Sequence, residues 1–369
     1  MLGCTHMSTR NKRRGRVSKI KVIIVDDSAL MRRLFSEIVN SDPAIELIAT
    51  AVDPLFAMEK IKDNWPDVII TDLMMPRMDG LAFINKIMQS RPTPIIAISA
   101  FAKEGETLAI EALARGALFF IEKPTSRIDS DVSAYRAEII DSIKQAKIST
   151  ATNLQPSLQV EAVVSTNQNK AAKDIVLPDG IDFIGLGTST GGTQAIEKLL
   201  SQIKPPMPPM AIVIHMPDKF LRAFVTRLID STELTVKVAE SQEIPQKNHV
   251  YFSQGNIHLK VKSSENGYQF TYDNSEKVNG HKPSVDVLMD SMAIEAGSSS
   301  LGILMTGMGK DGAKGLLAIK NAGGTTIIQD EASSVVYGMP KAAKLLNANN
   351  FEMNINDIAF ILNNKINLN

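Results

Sequence analysis

The chain has 369 residues and equal numbers of basic and acidic side chains, 40 of each, which excludes a protein built as a whole to bind nucleic acid. It is 44% hydrophobic and 22% charged, which suits about two α/β domains, each able to bury a core. No apolar run approaches the ~18 residues of a membrane span, and the lone Cys4 allows neither an internal disulfide nor a cysteine-built metal site. Direct membrane insertion is therefore not expected, and the cysteine usage suits a reducing cytoplasm. Up to about Ser18 the chain is a basic leader (Arg10, Lys12, Arg13, Arg14, Arg16) that reads as a disordered tail, with Met7 as an alternative start.

From about residue 19 to 148, strands and helices alternate. Lys21-Val22-Ile23-Ile24-Val25 is short and fully apolar, as a parallel sheet requires. Ser28 can cap a helix with Leu30, Met31, Leu34 and Ile38 on one face. Residues 47–51, 68–71, 94–99 and 118–121 read as further strands. Asp53-Pro54 starts a helix, and Val132, Tyr135, Ile139, Ile140 and Ile143 mark a last one. This order predicts a doubly wound five-stranded parallel sheet.

In such sheets function sits at the carboxyl ends of the strands. Those ends carry Asp26-Asp27, Asp72, Ser99 and Lys123-Pro124. Three converging carboxylates repel one another unless a cation sits among them. Oxygen-only ligands suit Mg2+, and a lysine and a hydroxyl on the opposite lips can hold phosphoryl oxygens. The stretches Val25-Asp26-Asp27-Ser28, Asp72-Leu73-Met74-Met75-Pro76-Arg77-Met78-Asp79-Gly80, Ser99-Ala100 and Lys123-Pro124 resemble the response-regulator receiver family over about 120 residues. The resemblance implies a flavodoxin-like fold and phosphorylation of Asp72 by a histidine kinase. It also implies Mg2+ on Asp26, Asp27, Asp72 and the Met74 backbone carbonyl, with Ser99 and Lys123 sensing the phosphoryl group.

Residues 149–178 are rich in Ser, Thr, Asn, Gln and Ala without a sustained period and read as a flexible linker. From about 179 to 369, strands and helices alternate again. The apolar run Phe183-Ile184 leads into Gly185-Leu186-Gly187-Thr188-Ser189-Thr190-Gly191-Gly192, and then into Ala195, Ile196, Leu199 and Leu200 at helical spacing. Residues 210–214, 235–239, 301–305 and 325–328 are further strands. Residues 250–252 and 257–262 look antiparallel, and Asn266-Gly267 signals a hairpin. The expectation is a mostly parallel α/β sheet with an antiparallel hairpin.

Gly187-Thr188-Ser189-Thr190-Gly191 places a serine between a strand and a helix N-terminus, as a presented nucleophile requires. A dinucleotide fingerprint is weakened because its third glycine falls on Thr190, and a turn without chemistry stays open. Among the histidines, His215 ends a buried strand, as Ser189 does, and is the best base. His258 reads as a strand residue, and His281 as a substrate contact or a loop residue. Asp311 lies in a Gly-rich turn after a buried strand and is the candidate acid, while Asp286 competes but reads as a helix-start charge. The order Ser189, His215, Asp311 is not that of the α/β-hydrolases.

Gly187-Thr188-Ser189-Thr190-Gly191-Gly192, Val213-Ile214-His215-Met216-Pro217, His281-Lys282-Pro283-Ser284-Val285-Asp286, Met305-Thr306-Gly307-Met308-Gly309-Lys310-Asp311-Gly312 and Tyr337-Gly338-Met339-Pro340 resemble the catalytic domain of the chemotaxis protein-glutamate methylesterase (CheB) family. The resemblance implies hydrolysis of glutamate methyl esters, and deamidation of glutamines, on methyl-accepting chemoreceptors. It implies nucleophile, base and acid on Ser189, His215 and Asp311, with Thr190 and Met308 near the oxyanion. It also implies no cofactor in this domain, and an unphosphorylated receiver that covers the site. Thr193 and Ser253-Gln254 depart from the family pattern without removing a reacting group. A receptor-docking module without activity and a serine hydrolase of another substrate class are the competing readings.

Overall fold

A computed structural model describes residues 18–100, 103–124, 132–149, 175–178, 180–265 and 267–366. The basic leader with Cys4 and Met7, most of the linker, and Asn266 lie outside the described residues.

Ile20–Val25 (β1), Ile45–Ala51 (β2), Val68–Asp72 (β3), Ile95–Ser99 (β4) and Phe119–Glu122 (β5) form one parallel sheet in the order β2-β1-β3-β4-β5. Parallel sheets are covered on both faces, and the strands β3 and β4 are buried along their whole length. Helices Ala29–Asn40 (α1), Pro54–Ile61 (α2), Gly80–Ser90 (α3), Lys103–Ala114 (α4) and Val132–Ile148 (α5) alternate with them. Ser28, Asp53 and Asp79 each accept a backbone N–H at the start of a helix, which satisfies donors that the first turn leaves unpaired.

The second sheet contains Phe183–Thr188 (β6), Met210–Ile214 (β7), Thr235–Val238 (β8), His249–Phe252 (β9), Ser300–Leu304 (β12), Thr325–Gln329 (β13) and Phe351–Met353 (β14). Its order is β14-β13-β12-β6-β7-β9-β8, with every neighbouring pair parallel. His258–Ser264 (β10) and Gly267–Asp273 (β11) form a separate antiparallel hairpin. The antiparallel pairing expected for residues 250–252 is therefore corrected. Val250, Tyr251 and Phe252 are fully buried, and β9 slots into the parallel sheet between β7 and β8. A short apolar run carries no information about its partner, and burial on both faces decided it.

Helices Gly192–Leu200 (α6), Asp218–Ile229 (α7), Val285–Glu295 (α8), Ala313–Asn321 (α9), Met339–Leu345 (α10) and Ile355–Asn364 (α11) cover this sheet. Side chains of α8 occupy the space that Cβ atoms on two glycines of β6 would fill. A Cβ on Gly187 would sit 2.2 Å from Val285 Cγ1, and one on Gly185 would sit 2.3 Å from Met292 Sδ.

Gly187→Ala is therefore expected to destabilise the protein by about 1–3 kcal/mol through overpacking. A urea titration of the variant against the unsubstituted chain checks this.

Candidate active site

β6 has β12 on one side and β7 on the other, so the connections leave it in opposite directions. Such a point opens a crevice at the carboxyl ends of the strands. Ser189 follows β6, His215 follows β7 and Asp311 lies in the turn beyond β12. The structure thus brings all three expected residues to one end of the sheet.

Ser189 is held by its backbone. Its N–H donates to Thr306 O at 3.0 Å, and its carbonyl accepts from Gly192 N at 2.8 Å. Gly191 precedes α6 at φ +77°, a conformation glycine adopts without a Cβ penalty. Thr190 is buried, and its carbonyl accepts from Thr306 Oγ1 at 2.9 Å. Met308 is 40% exposed on the loop after Gly307 and is not among the residues lining the cleft.

His215 Nε2 lies 2.9 Å from Asp311 Oδ2. Since Asp311 accepts, Nε2 carries the proton, and Nδ1 is left as the acceptor nitrogen. Nδ1 is buried and has no hydrogen-bond partner among the described residues. Asp311 is 1% exposed and also accepts from Ser284 Oγ at 2.6 Å, Val285 N at 2.7 Å, Asn279 Nδ2 at 2.9 Å and Asp286 N at 3.4 Å. Burial alone pushes the carboxyl up. The donors from His215, Ser284 and Asn279 outweigh it and hold the group down at about 2. The N-terminus of α8 adds the favourable end of its dipole.

Asp286 does not reach His215. It is buried in the first turn of α8 and accepts from Gly315 N at 2.8 Å and Asn279 Nδ2 at 2.7 Å. Burial first, and then the neighbouring Asp311, push its carboxyl up against those donors. His281 stacks on His215, with ring centroids 3.7 Å apart and planes 3° from parallel. Burial and the neighbouring His215 push the His281 ring down to about 4. His258 is fully buried, with Nδ1 accepting from Ser284 N at 3.1 Å and Nε2 donating to Glu276 O at 3.1 Å. It steadies the segment that carries Ser284.

Ser189, His215 and His281 line one wall of a cleft of about 550 Å³. Leu113, Phe120 and Glu138 of the N-terminal domain line the other. Phe120 meets Phe220 edge to face at 4.8 Å, Gln194 Nε2 donates to Leu113 O at 2.7 Å, and Lys219 pairs with Glu122. The two domains therefore share the cleft.

At the N-terminal sheet, one oxygen each from Asp26, Asp27 and Asp72 lies within 4.8 Å of the others. This all-oxygen donor set fits a hard divalent cation such as Mg2+. Lys123 Nζ pairs with Asp26 at 2.8 Å and Asp72 at 2.7 Å. Burial pushes the Asp72 carboxyl up, and the Lys123 ammonium opposes this only in part. Ser99 Oγ is buried without a partner among the described residues, and Met74 N donates to Asp72 Oδ1 at 3.3 Å. Asn279 and Ser284 are site residues that sequence reasoning did not single out. The Asn279-Gly280 pair was a legible turn signal.

The Asp311 carboxyl lies below its ordinary 3.8 in the folded chain, so its contribution to stability is present above about pH 4. It is lost as pH falls towards about 2. Asp311→Asn is expected to remove about 2 kcal/mol of this acid-dependent stability, measured by denaturant unfolding at stepped pH.

Among the described residues no helix is long and apolar enough to cross a membrane. Family models match the response regulator receiver domain over residues 22–132 and the CheB methylesterase over residues 184–362. A protein-glutamate methylesterase/protein-glutamine glutaminase of Thiobacillus denitrificans is 42% identical over 325 residues, 88% of this chain and 90% of that protein. One of Leptospira interrogans, designated 3, is 43% identical over 333 residues, 90% of this chain and 95% of that protein. The crystal structure of the Thermotoga maritima CheB methylesterase catalytic domain is 34% identical and covers 49% of this chain and 96% of its own, with a TM-score of 0.48. The chain belongs to the protein-glutamate methylesterase/protein-glutamine glutaminase family, with a response regulator receiver domain ahead of a CheB methylesterase domain.

Proposed function

We propose that this chain works in the cytoplasm as a phosphorylation-controlled methylesterase and glutaminase acting on methyl-accepting chemoreceptors. Residues 19–148 form the receiver, 149–178 the linker and 179–369 the catalytic domain. The observation that carries the reading is the His215 Nε2–Asp311 hydrogen bond at 2.9 Å, with the other ring nitrogen unpartnered beside the cleft that Ser189 lines.

His215 Nδ1 takes the Ser189 hydroxyl proton, and Ser189 Oγ attacks the γ-carbonyl of a methylated glutamate. Asp311 holds the Nε2–H tautomer and stabilises the imidazolium that forms. Backbone N–H groups at the Thr190–Gly191 turn, where α6 begins, and the neighbourhood of Met308 receive the oxyanion. The imidazolium returns its proton to the departing methoxide, and methanol leaves. Water, deprotonated by His215, then cleaves the acyl-serine to free glutamate. Deamidation of a glutamine follows the same course, with ammonia as the leaving group.

The receiver supplies the control. Asp26, Asp27, Asp72 and the Met74 carbonyl would hold Mg2+, which when bound offsets the charge on phosphoryl oxygens. Asp72 accepts a phosphoryl group from a histidine kinase, and Lys123 and Ser99 receive its oxygens. Lys123 leaves its pairing with Asp26, and the unpartnered Ser99 hydroxyl turns inward. That rearrangement loosens the Phe120–Phe220 contact and opens the cleft to a receptor helix. Such a switch works by differential contacts in two states, and the shared cleft supports it.

Methanol release from methylated receptor membranes tests the reading. Release is expected to rise with a phosphodonor and Mg2+, and to fall by about 1000-fold or more in Ser189→Ala. Phe220→Ala is expected to raise release from the unphosphorylated chain. No release from any form sinks the methylesterase reading and favours the docking module.

A further inference from the structure

Val278, Asn279, Gly280 and His281 form a two-residue turn. Val278 N donates to His281 O at 3.1 Å, and His281 N donates to Val278 O at 2.9 Å. Asn279 and Gly280 have φ of +54° and +85°, the type I′ geometry that Asn-Gly favours. The turn delivers two side chains to the acid–base pair. The His281 ring lies flat on His215, and the Asn279 amide reaches the carboxylate behind it.

The Asn279 amide nitrogen donates to Asp311 Oδ1 at 2.9 Å and to Asp286 Oδ2 at 2.7 Å. Both carboxylates are buried. An ionised carboxylate only accepts, so the NH2 end of the amide must face them, and its two hydrogens serve one each. Two like charges this close repel. A donor shared between them lowers that cost and fixes the plane in which each carboxylate lies. Ser284 and Val285 also donate to Asp311, so the amide is not the sole link between Asp311 and α8. Its distinct contributions are the orientation of Asp311 towards His215 and the separation of Asp286 from that pair.

We propose that Asn279 is a positioning residue for the hydrolytic reaction, aligning Asp311 on His215 by bridging it to Asp286. This rests on the assignment of Ser189, His215 and Asp311 as the reacting residues.

The test uses the full chain activated by phosphodonor and Mg2+. It compares Asn279→Gly and Asn279→Asp with the unsubstituted protein. Glycine keeps the turn, since it adopts positive φ freely. Aspartate also tolerates that conformation and keeps the shape while replacing the donor by an acceptor. Two readouts are taken: kcat and KM for methanol release, and the rate at which a fluorophosphonate labels Ser189. Both variants are expected to lose about 10- to 100-fold in kcat, as removal of a buried hydrogen bond to a charged group does. KM is expected to stay within about twofold, since Asn279 is not among the residues lining the cleft, and labelling is expected to slow in parallel. Thermal unfolding checks that the variants fold. If the third carboxylate of Asn279→Asp unfolds the chain, Asn279→Gly decides alone. Wild-type kcat and labelling in Asn279→Gly would overturn the proposal, because Asn279 would then serve only the turn. An unsubstituted chain that labels but releases no methanol would count against the receptor substrate and leave the labelling comparison to judge Asn279. A chain that does neither would overturn both readings.

Discussion

A buried negative charge must be surrounded by donors or give up its charge, and Asp311 meets that condition with donors from separate parts of the chain. His215 comes from the end of β7 and Asn279 from the turn after the hairpin, while Ser284, Val285 and Asp286 come from the start of α8. The carboxylate cannot move without leaving several of them unpaired. That is why it can serve as a fixed reference for the imidazole of His215. A histidine on its own at a strand end would rotate freely, and either nitrogen would carry the proton.

The arrangement depends on how closely α8 approaches the sheet. The N–H groups at the head of α8 face Asp311 only because Val285 packs where side chains on β6 would otherwise stand. The absence of a Cβ at Gly187 makes room for it. His258, inside the hairpin, accepts the Ser284 N–H and fixes the entry to the helix from the other side. Strand, hairpin and helix thus converge on one carboxylate, and packing of the core and geometry of the site are the same constraint.

The N-terminal domain is built on an opposite kind of electrostatics. Its carboxylates Asp26 and Asp72 share one lysine, beside single backbone donors from Ser28 and Met74. Lys123 bridges Asp26 and Asp72, while Asp27 stays exposed and Ser99 has no partner among the described residues. A single, largely buried ammonium thus answers both carboxylates. The cluster sits at the ends of the strands whose neighbours, β5 and α4, touch the second domain. Ala109 and Ile110 of α4 are buried in the same apolar cluster as Leu199 and Phe220.

Much of this was legible in the residues themselves. Alternating apolar runs and helical periods determined a doubly wound sheet in the first domain and a mostly parallel α/β sheet with a hairpin in the second. The small residues around Ser189, the strand-end His215 and the acidic strand ends of the first domain pointed to residues that each fold gathers at one end of its sheet. These are local signals, carried by spacing and by the rule that function gathers at strand ends. Pairing is different, because it depends on which distant segments share a space. The sequence left β9 with the wrong partner and gave no sign that Asn279 would lie between two carboxylates. Asp311 could be preferred to Asp286 from its place after a buried strand, but the donors that each of them meets are seen only in the packed structure. The donors that can ionise a buried carboxylate and hold it against His215 converge on Asp311, and they converge there because α8 rests against a strand of glycines.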